Sequence, residues 1–196
     1  MSLILASSSP FRKAILDKLG LDFEVVAPEI NEDRRVNESP IDLVTRLSKE
    51  KAVAVAKSKT GLIIASDQVA TLDTGYKAND SILTKPGSHE NAFLQLKKSS
   101  GKTVNFLTGL VLMNTKNLNT QVHVEHFKVS FKELSDNQIL NYLSKEDVLN
   151  CAGSFKSEGL GIALFTEMVG NDPNSLIGLP TIQLIDMLAK ENVHVL

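Results

Sequence analysis

Two stretches decide the fold: Lys102-Thr-Val-Asn-Phe-Leu-Thr-Gly-Leu-Val-Leu-Met113 and Gln121-Val-His-Val-Glu-His-Phe-Lys-Val-Ser-Phe-Lys132. Asn/Thr/Lys-rich residues join them, so they are expected to form two long strands of one hairpin. Toward the N-terminus, strand and helix signals alternate. Leu3–Ala6 is a short buried-strand run, after which Ser9-Pro10 supplies an N-cap and a first-turn proline for a helix ending near Gly20. Residues 23–27 read as a second strand, 28–38 as a polar loop, and Ser39-Pro40 opens a helix to about Ser58. Residues 61–66 read as a buried strand ending abruptly in Asp67-Gln68, 74–86 as a long polar loop, and 88–99 as a helix. Toward the C-terminus come a helix over 135–145, a glycine-punctuated turn region over 151–161, a strand over 162–169 and a final helix over 175–191. Alternating elements with a long hairpin imply an α/β fold in which helices flank one elongated mixed β-sheet.

The composition is that of an ordinary globular chain. Its 196 residues, 42% hydrophobic and 22% charged, suffice for one substantial domain spanning 1–196 and rule out disorder, collagen and fibrous arrays. Lys+Arg 21 against Asp+Glu 23 gives a net charge of -2, without a run of five like charges. A nucleic-acid partner is therefore not expected, and an anionic ligand must be held by a few placed cations. One cysteine, Cys151, permits no internal disulfide and no zinc site built on several cysteines. The chain reads as cytoplasmic, with neither a signal peptide nor an apolar stretch long enough for a membrane span.

Two cations stand where apolar residues belong. On a helical wheel with Phe11 at zero, Ile15 falls at about 40°, Leu19 at about 80°, Leu16 at about 140° and Arg12 at about 100°, inside the apolar arc. Lys13, at about 200°, points away. With Leu43 at zero, Leu47 falls at about 40°, Val44 at about 100°, Val55 at about 120° and Lys51 at about 80°. A core-facing cation requires a partner or an anionic ligand, because an unpaired buried charge costs several kcal/mol. Snorkelling, or an ion pair with Glu50 or Glu32, is the ordinary explanation. Asp67 is the leading catalytic candidate, since ligands of α/β sheets gather at the carboxyl ends of strands. Its competing reading is an acid that caps the next turn.

Other signals are weaker. Gly101-Lys-Thr103 imitates the end of a phosphate-binding loop, but the required glycine five positions earlier is Leu96, so a turn into a strand is expected. His123 and His126 lie three apart on a strand, which puts them on opposite faces and argues against a shared metal. Cys151 reads as a small buried hydrophobe.

Taken together, Leu3-Ile-Leu-Ala-Ser-Ser-Ser-Pro-Phe-Arg12, Glu32, Glu50-Lys-Ala52, Ser66-Asp-Gln68, Thr84-Lys-Pro86 and Ala152-Gly-Ser-Phe-Lys-Ser-Glu-Gly159 resemble, in order and across nearly the whole chain, the Maf family of nucleoside triphosphate pyrophosphatases. The last segment and Phe11 resemble the branch acting on 7-methyl-GTP rather than the dTTP/UTP branch. The resemblance implies an elongated α/β fold of the inosine triphosphatase (Maf/Ham1) type, a divalent cation (Mg²⁺ or Mn²⁺), commonly a homodimer, and hydrolysis between the α- and β-phosphates of a small-molecule nucleotide. It implies Asp67 as proton acceptor, with Glu32 and Asp67 holding the metal. Arg12, Lys51 and Lys85, with the amides around Ser8 and Ser9 at a helix N-terminus, would meet phosphate. Phe11 would offer a π face to the cationic N7-methylated base, Glu158 would accept from its N–H edge, and Gln68 would complete the discrimination.

The sequence departs from the family at Lys13, where a second arginine is usual, at Asn31, at Thr84 and in a longer 73–83 loop. Other readings are hydrolysis of dTTP/UTP or of non-canonical purine triphosphates, and a non-catalytic nucleotide-binding regulator of cell division. Against the last, a pure binder has no need of the acid at Asp67.

Overall fold

A computed structural model describes residues 1–196. The expected hairpin forms: β4 (Thr103–Asn114) and β5 (Thr120–Phe131) pair antiparallel from Thr103 opposite Ser130 to Met113 opposite Thr120. Around them, β1 (Leu3–Ala6), β2 (Glu24–Val26), β3 (Leu62–Thr71) and β6 (Phe165–Val169) complete one sheet in the order β2-β1-β3-β4-β5-β6. β1 runs parallel to both β2 and β3, and the remaining neighbours are antiparallel. The fold is thus the elongated mixed sheet, flanked by α1 (Pro10–Asp17), α2 (Pro40–Ala56), α3 (His89–Ser99), α4 (Asp136–Leu143), α5 (Pro173–Ile177) and α6 (Thr181–Lys190).

Serine caps set where four helices start. The hydroxyls of Ser9, Ser39, Ser88 and Ser135 accept from the amides of Arg12, Asp42, Asn91 and Gln138, each satisfying a donor that the first turn leaves free. Side-chain alternation then sorts the core. Ile4, Ala6, Ile63, Ala65 and Val111 face α2 through Ala52 and Val55, while Leu3, Leu5, Leu62, Ile64, Leu110 and Leu112 face α1 and α6 through Ile15, Leu16, Leu184 and Leu188.

Three expectations are corrected. The strand of 61–66 does not stop at Asp67; β3 runs to Thr71, because β4 continues beside it and pairs Asp67 with Gly109 and Thr71 with Asn105. What ends is β1: its last residue, Ala6, lies opposite Ala65, so Asp67 stands just beyond the carboxyl end of the neighbouring parallel strand. The final helix is two helices, broken at Gly178-Leu179-Pro180, where Gly178 adopts φ +120° and Pro180 has no amide hydrogen for the earlier helix. The strand expected from 162 begins only at Phe165, since residues 160–164 form a 3₁₀ turn.

Gly109 sets how closely α2 approaches the sheet. A Cβ there would stand 2.5 Å from Ser48 Oγ and 2.7 Å from the Val44 carbonyl oxygen. The buried Ser48 hydroxyl finds no hydrogen-bond partner, a cost of this contact. Gly109→Val is expected to lift α2 from the strand, destabilising the protein by about 1–3 kcal/mol, as overpacked cores do. A urea melt measures it, and an unchanged midpoint would show that the helix has room to spare.

Candidate active site

β1 stops at Ala6 and β3 continues, so a cleft opens beside the exposed flank of β3. Alternation places Asp67 on the α2 side, with Ala65 and Val69, and places Ser66 and Gln68 on the α5 side. Lys51, in the apolar stripe of α2, reaches Asp67 with Nζ 2.6 Å from Oδ1, and the same Nζ lies 2.8 Å from Glu32 Oε1. The Lys51 and Asp67 side chains are buried, at 7% and 10% exposure, whereas Glu32 is 56% exposed. The misplaced cation therefore has an ordinary partner, Glu32, and a buried one, Asp67. Only Oδ1 of Asp67 is engaged; Oδ2 makes no hydrogen bond within the protein.

On the other side of the sheet, α5 and the glycine that caps it are fastened by their carbonyls. Gly178 O accepts from Arg12 Nε and from Ser66 Oγ, both at 2.8 Å. Ser175 O accepts from Gln68 Nε2 at 2.8 Å and from Thr108 Oγ1 at 2.9 Å, and Leu176 O accepts from Gln68 Nε2 at 3.1 Å. Arg12 is thus oriented by a backbone oxygen. Desolvation lowers the pKa of its guanidinium, opposed by the charges of Asp67 and Glu32. For Glu32, burial acts upward, but its contact with Lys51 and the charges of Lys51, Lys85 and Arg12 hold the carboxyl below its usual range.

A cleft of 780 Å³ brings together Ser8, Ser9, Phe11, Arg12, Glu32, Lys51, Asp67, Gln68, Lys85 and Glu158. Every residue that the sequence singled out for a site lines it. Phe11 is half-buried in the wall, and Ser8, Lys85 and Glu158 are exposed at its surface. Gln68 differs from expectation in one respect: its N–H donors are spent on Thr108 and α5, which leaves Oε1 as the atom without a protein partner. Lys13 lies outside the cleft and pairs with Asp17 at 2.8 Å. Asn31 closes a local turn by accepting from the Asp33 amide. Cys151 lines the cleft half-buried, and burial pushes its thiol up to about 11, which leaves it protonated and unreactive near neutral pH.

Sequence reasoning missed the residues that hold the loop of Glu32. Arg46 forks onto Glu38 at 2.6 and 2.9 Å, donates to Glu50 Oε2 at 2.9 Å and also caps the Asp33 carbonyl at 2.9 Å. Arg34 donates to the carbonyls of Glu38, Ala78 and Asp80, tying this loop to the 73–83 loop. The spacing Arg46-x-x-x-Glu50 was the one available signal. No group of three or more His, Cys, Asp or Glu side chains gathers in a metal-holding arrangement, so Glu32 and Asp67 are two carboxylates and not part of a larger cage.

The family model described as Maf-like protein matches residues 2–191. The chain belongs to the Maf family. A protein of Alcanivorax borkumensis named 7-methyl-GTP pyrophosphatase is 51% identical to this Maf protein over 194 residues, covering 98% of this chain and 95% of that one. One of the same name from Pseudoalteromonas atlantica is 52% identical over 195 residues, covering 100% and 97%. The Staphylococcus aureus Ham1 protein aligns over 98% of this chain and 100% of its own, with a TM-score of 0.53 and 12% identity. That likeness is one of fold. No helix of the Maf chain is long and apolar enough to cross a membrane.

Two measurements test the geometry. Lys51→Met leaves the buried Asp67 carboxylate without its partner, and breaking such a pair costs about 3–5 kcal/mol; an unchanged Tm would mean that Asp67 finds compensation elsewhere. Hydrogen bonding to Arg46 outweighs burial and holds the Glu38 carboxyl at about 2, against its ordinary 4.5. Because the folded value is depressed, this stabilisation is complete above 4.5 and is lost as pH falls toward 2. Urea melts between pH 6 and 2 should show that loss, and Arg46→Met should flatten it.

Proposed function

We infer that this protein hydrolyses 7-methyl-GTP to its monophosphate and pyrophosphate, acting as a single domain. The observation that carries the reading is Asp67, with one oxygen tied to Lys51 and the other free, in a cleft that also holds Arg12 and Lys85. Half-identity over nearly full length to relatives bearing that name supports the substrate.

Hydrolysis of the anhydride between the α- and β-phosphates needs charge neutralisation, a placed water and an acceptor for its proton. Arg12, Lys51 and Lys85 meet phosphate oxygens, with the amides of Ser8 and Phe11 at the start of α1, that of Ser9 being bonded to Ser7 Oγ. The free Oδ2 of Asp67 takes the proton of the attacking water, and Lys51 keeps the carboxylate turned toward the cleft. Pyrophosphate leaves with the bridging oxygen.

A divalent cation suits these residues. The cleft is lined by Arg12, Arg34, Lys51 and Lys85 against Glu32, Asp33, Asp67 and Glu158, four of each sign, and so cannot by itself neutralise a triphosphate. Mg²⁺ and similar ions are commonly held by one or two carboxylates together with substrate phosphates, and Glu32 and Asp67 match that demand. The ion supplies positive charge against the phosphate oxygens when bound. At the base end, Phe11 offers a π face and Glu158 a carboxylate to the cationic ring of 7-methylguanine.

Pyrophosphate release across 7-methyl-GTP, GTP, dTTP and UTP tests the reading. The methylated substrate should show the highest kcat/KM, and Glu158→Gln should narrow its lead over GTP. Asp67→Asn should lower kcat by about 10²–10⁴-fold, and Tm should fall less than in Lys51→Met, because Glu32 and the Asn amide oxygen still partner Lys51. Activity should vanish in excess chelator and return with Mg²⁺ or Mn²⁺. A preference for dTTP or UTP would overturn the substrate, and near-wild-type turnover of the Asp67 variant would overturn the mechanism.

A further inference from the structure

Gln95 lies outside the cleft, on α3, yet it touches the backs of two segments that line it. Its Nε2 donates to Thr84 O at 3.0 Å, behind the arm that carries Lys85. Its Oε1 accepts from Ser154 Oγ at 2.9 Å, within the segment that leads to Glu158. The polarity of the amide is forced. Thr84 O can only accept, so the amide nitrogen must face it, and the oxygen is left for the Ser154 hydroxyl.

Both segments require such a tie. Leu83 is buried and its amide bonds Ala70 O at 2.7 Å, but Thr84 and Lys85 beyond it are exposed, and a surface hollow of 380 Å³ bordered by Gln95 lies behind Thr84. Besides Gln95, the bond from Asn91 Nδ2 to Pro86 O, 3.0 Å long, holds the arm to α3, one helical turn earlier. On the other segment, Gly153 and Ser154 both adopt positive φ, +78° and +63°. A serine in the left-handed region persists only where its surroundings hold it, and the Ser154 side chain is fully buried with Gln95 as its hydrogen-bond partner.

We propose that Gln95 is a positioning residue that couples the phosphate-binding arm of Lys85 to the base-reading segment of Glu158. The proposal rests on the functional reading above. One amide sets the distance between the two ends of the site, so a nucleotide is gripped at base and phosphate in one register.

The two bonds can be cut separately. Gln95→Glu keeps an acceptor for Ser154 but has no donor for Thr84 O, whereas Ser154→Ala removes only the base-side bond. Gln95→Leu removes both. In hydrogen–deuterium exchange of the free protein, Gln95→Glu should speed exchange in residues 83–87 alone, Ser154→Ala in 152–159 alone, and Gln95→Leu in both. In kinetics, Gln95→Glu should raise KM for 7-methyl-GTP and GTP alike, by about three- to tenfold, as expected for one lost hydrogen bond. Ser154→Ala should leave the arm intact and lower the ratio of kcat/KM between the two substrates by a similar factor. A merely structural role would lower Tm without separating these effects.

Exchange unchanged in both segments of Gln95→Leu, or equal loosening of both by the two single-bond variants, would overturn the coupling. If the wild-type protein releases pyrophosphate from no nucleotide, the functional reading fails while exchange still decides the role of Gln95.

Discussion

Lys51 holds the site together: one ammonium, buried in the apolar stripe of α2, pairs with both Asp67 from β3 and Glu32 from a loop. Without it two carboxylates would approach a common point, and Asp67 would be a buried charge with no hydrogen-bonded partner. The surrounding structure meets this demand. Gly109, opposite Asp67 in the sheet, lets the backbone of α2 come close enough for a lysine to reach. Arg46 pins the 28–38 loop so that Glu32 arrives from the other side.

A second constraint comes from the short length of β1. Because it ends at Ala6, the flank of β3 from Ser66 to Val69 has no strand beside it before Leu83 bridges Ala70, and α1 and α2, on opposite faces of the sheet, can send Arg12 and Lys51 into one opening. The polar face of that opening is backed by α5. The carbonyls of Ser175, Leu176 and the capping Gly178 take the donors of Ser66, Gln68 and Thr108 and the Nε–H of Arg12, which fixes their direction. Glu158 is exposed at the cleft and joined within the protein only by a 3.4 Å bond from Ser157.

The proposed chemistry draws on the names of the relatives and on the balance of charge in the cleft. A cleft lined by equal numbers of opposite charges is poorly suited to store a polyanion and well suited to act on one with the help of a metal ion, since carboxylates placed among cations serve proton transfer and metal binding. Reactive-cysteine chemistry is unsupported, because burial keeps the Cys151 thiol protonated.

Local chemistry was enough to determine much of this from the sequence. Serine caps, apolar periodicity and the alternating 102–132 region specified the helices, the hairpin and the mixed sheet, because each depends on neighbours a few residues away. The wheel positions of Arg12 and Lys51 marked both as cations in need of a partner or an anionic ligand, since a cation in an apolar stripe is visible without knowing its partner. What lay beyond the sequence were relations between distant segments. That β3 passes through Asp67 depended on β4 pairing with it, and the break at Gly178 became decisive only because its carbonyl meets Arg12 from the far end of the chain. Arg46 and Gln95 carried no motif for the same reason. Their importance comes from which backbone atoms the fold brings to them, and tertiary packing alone decides that.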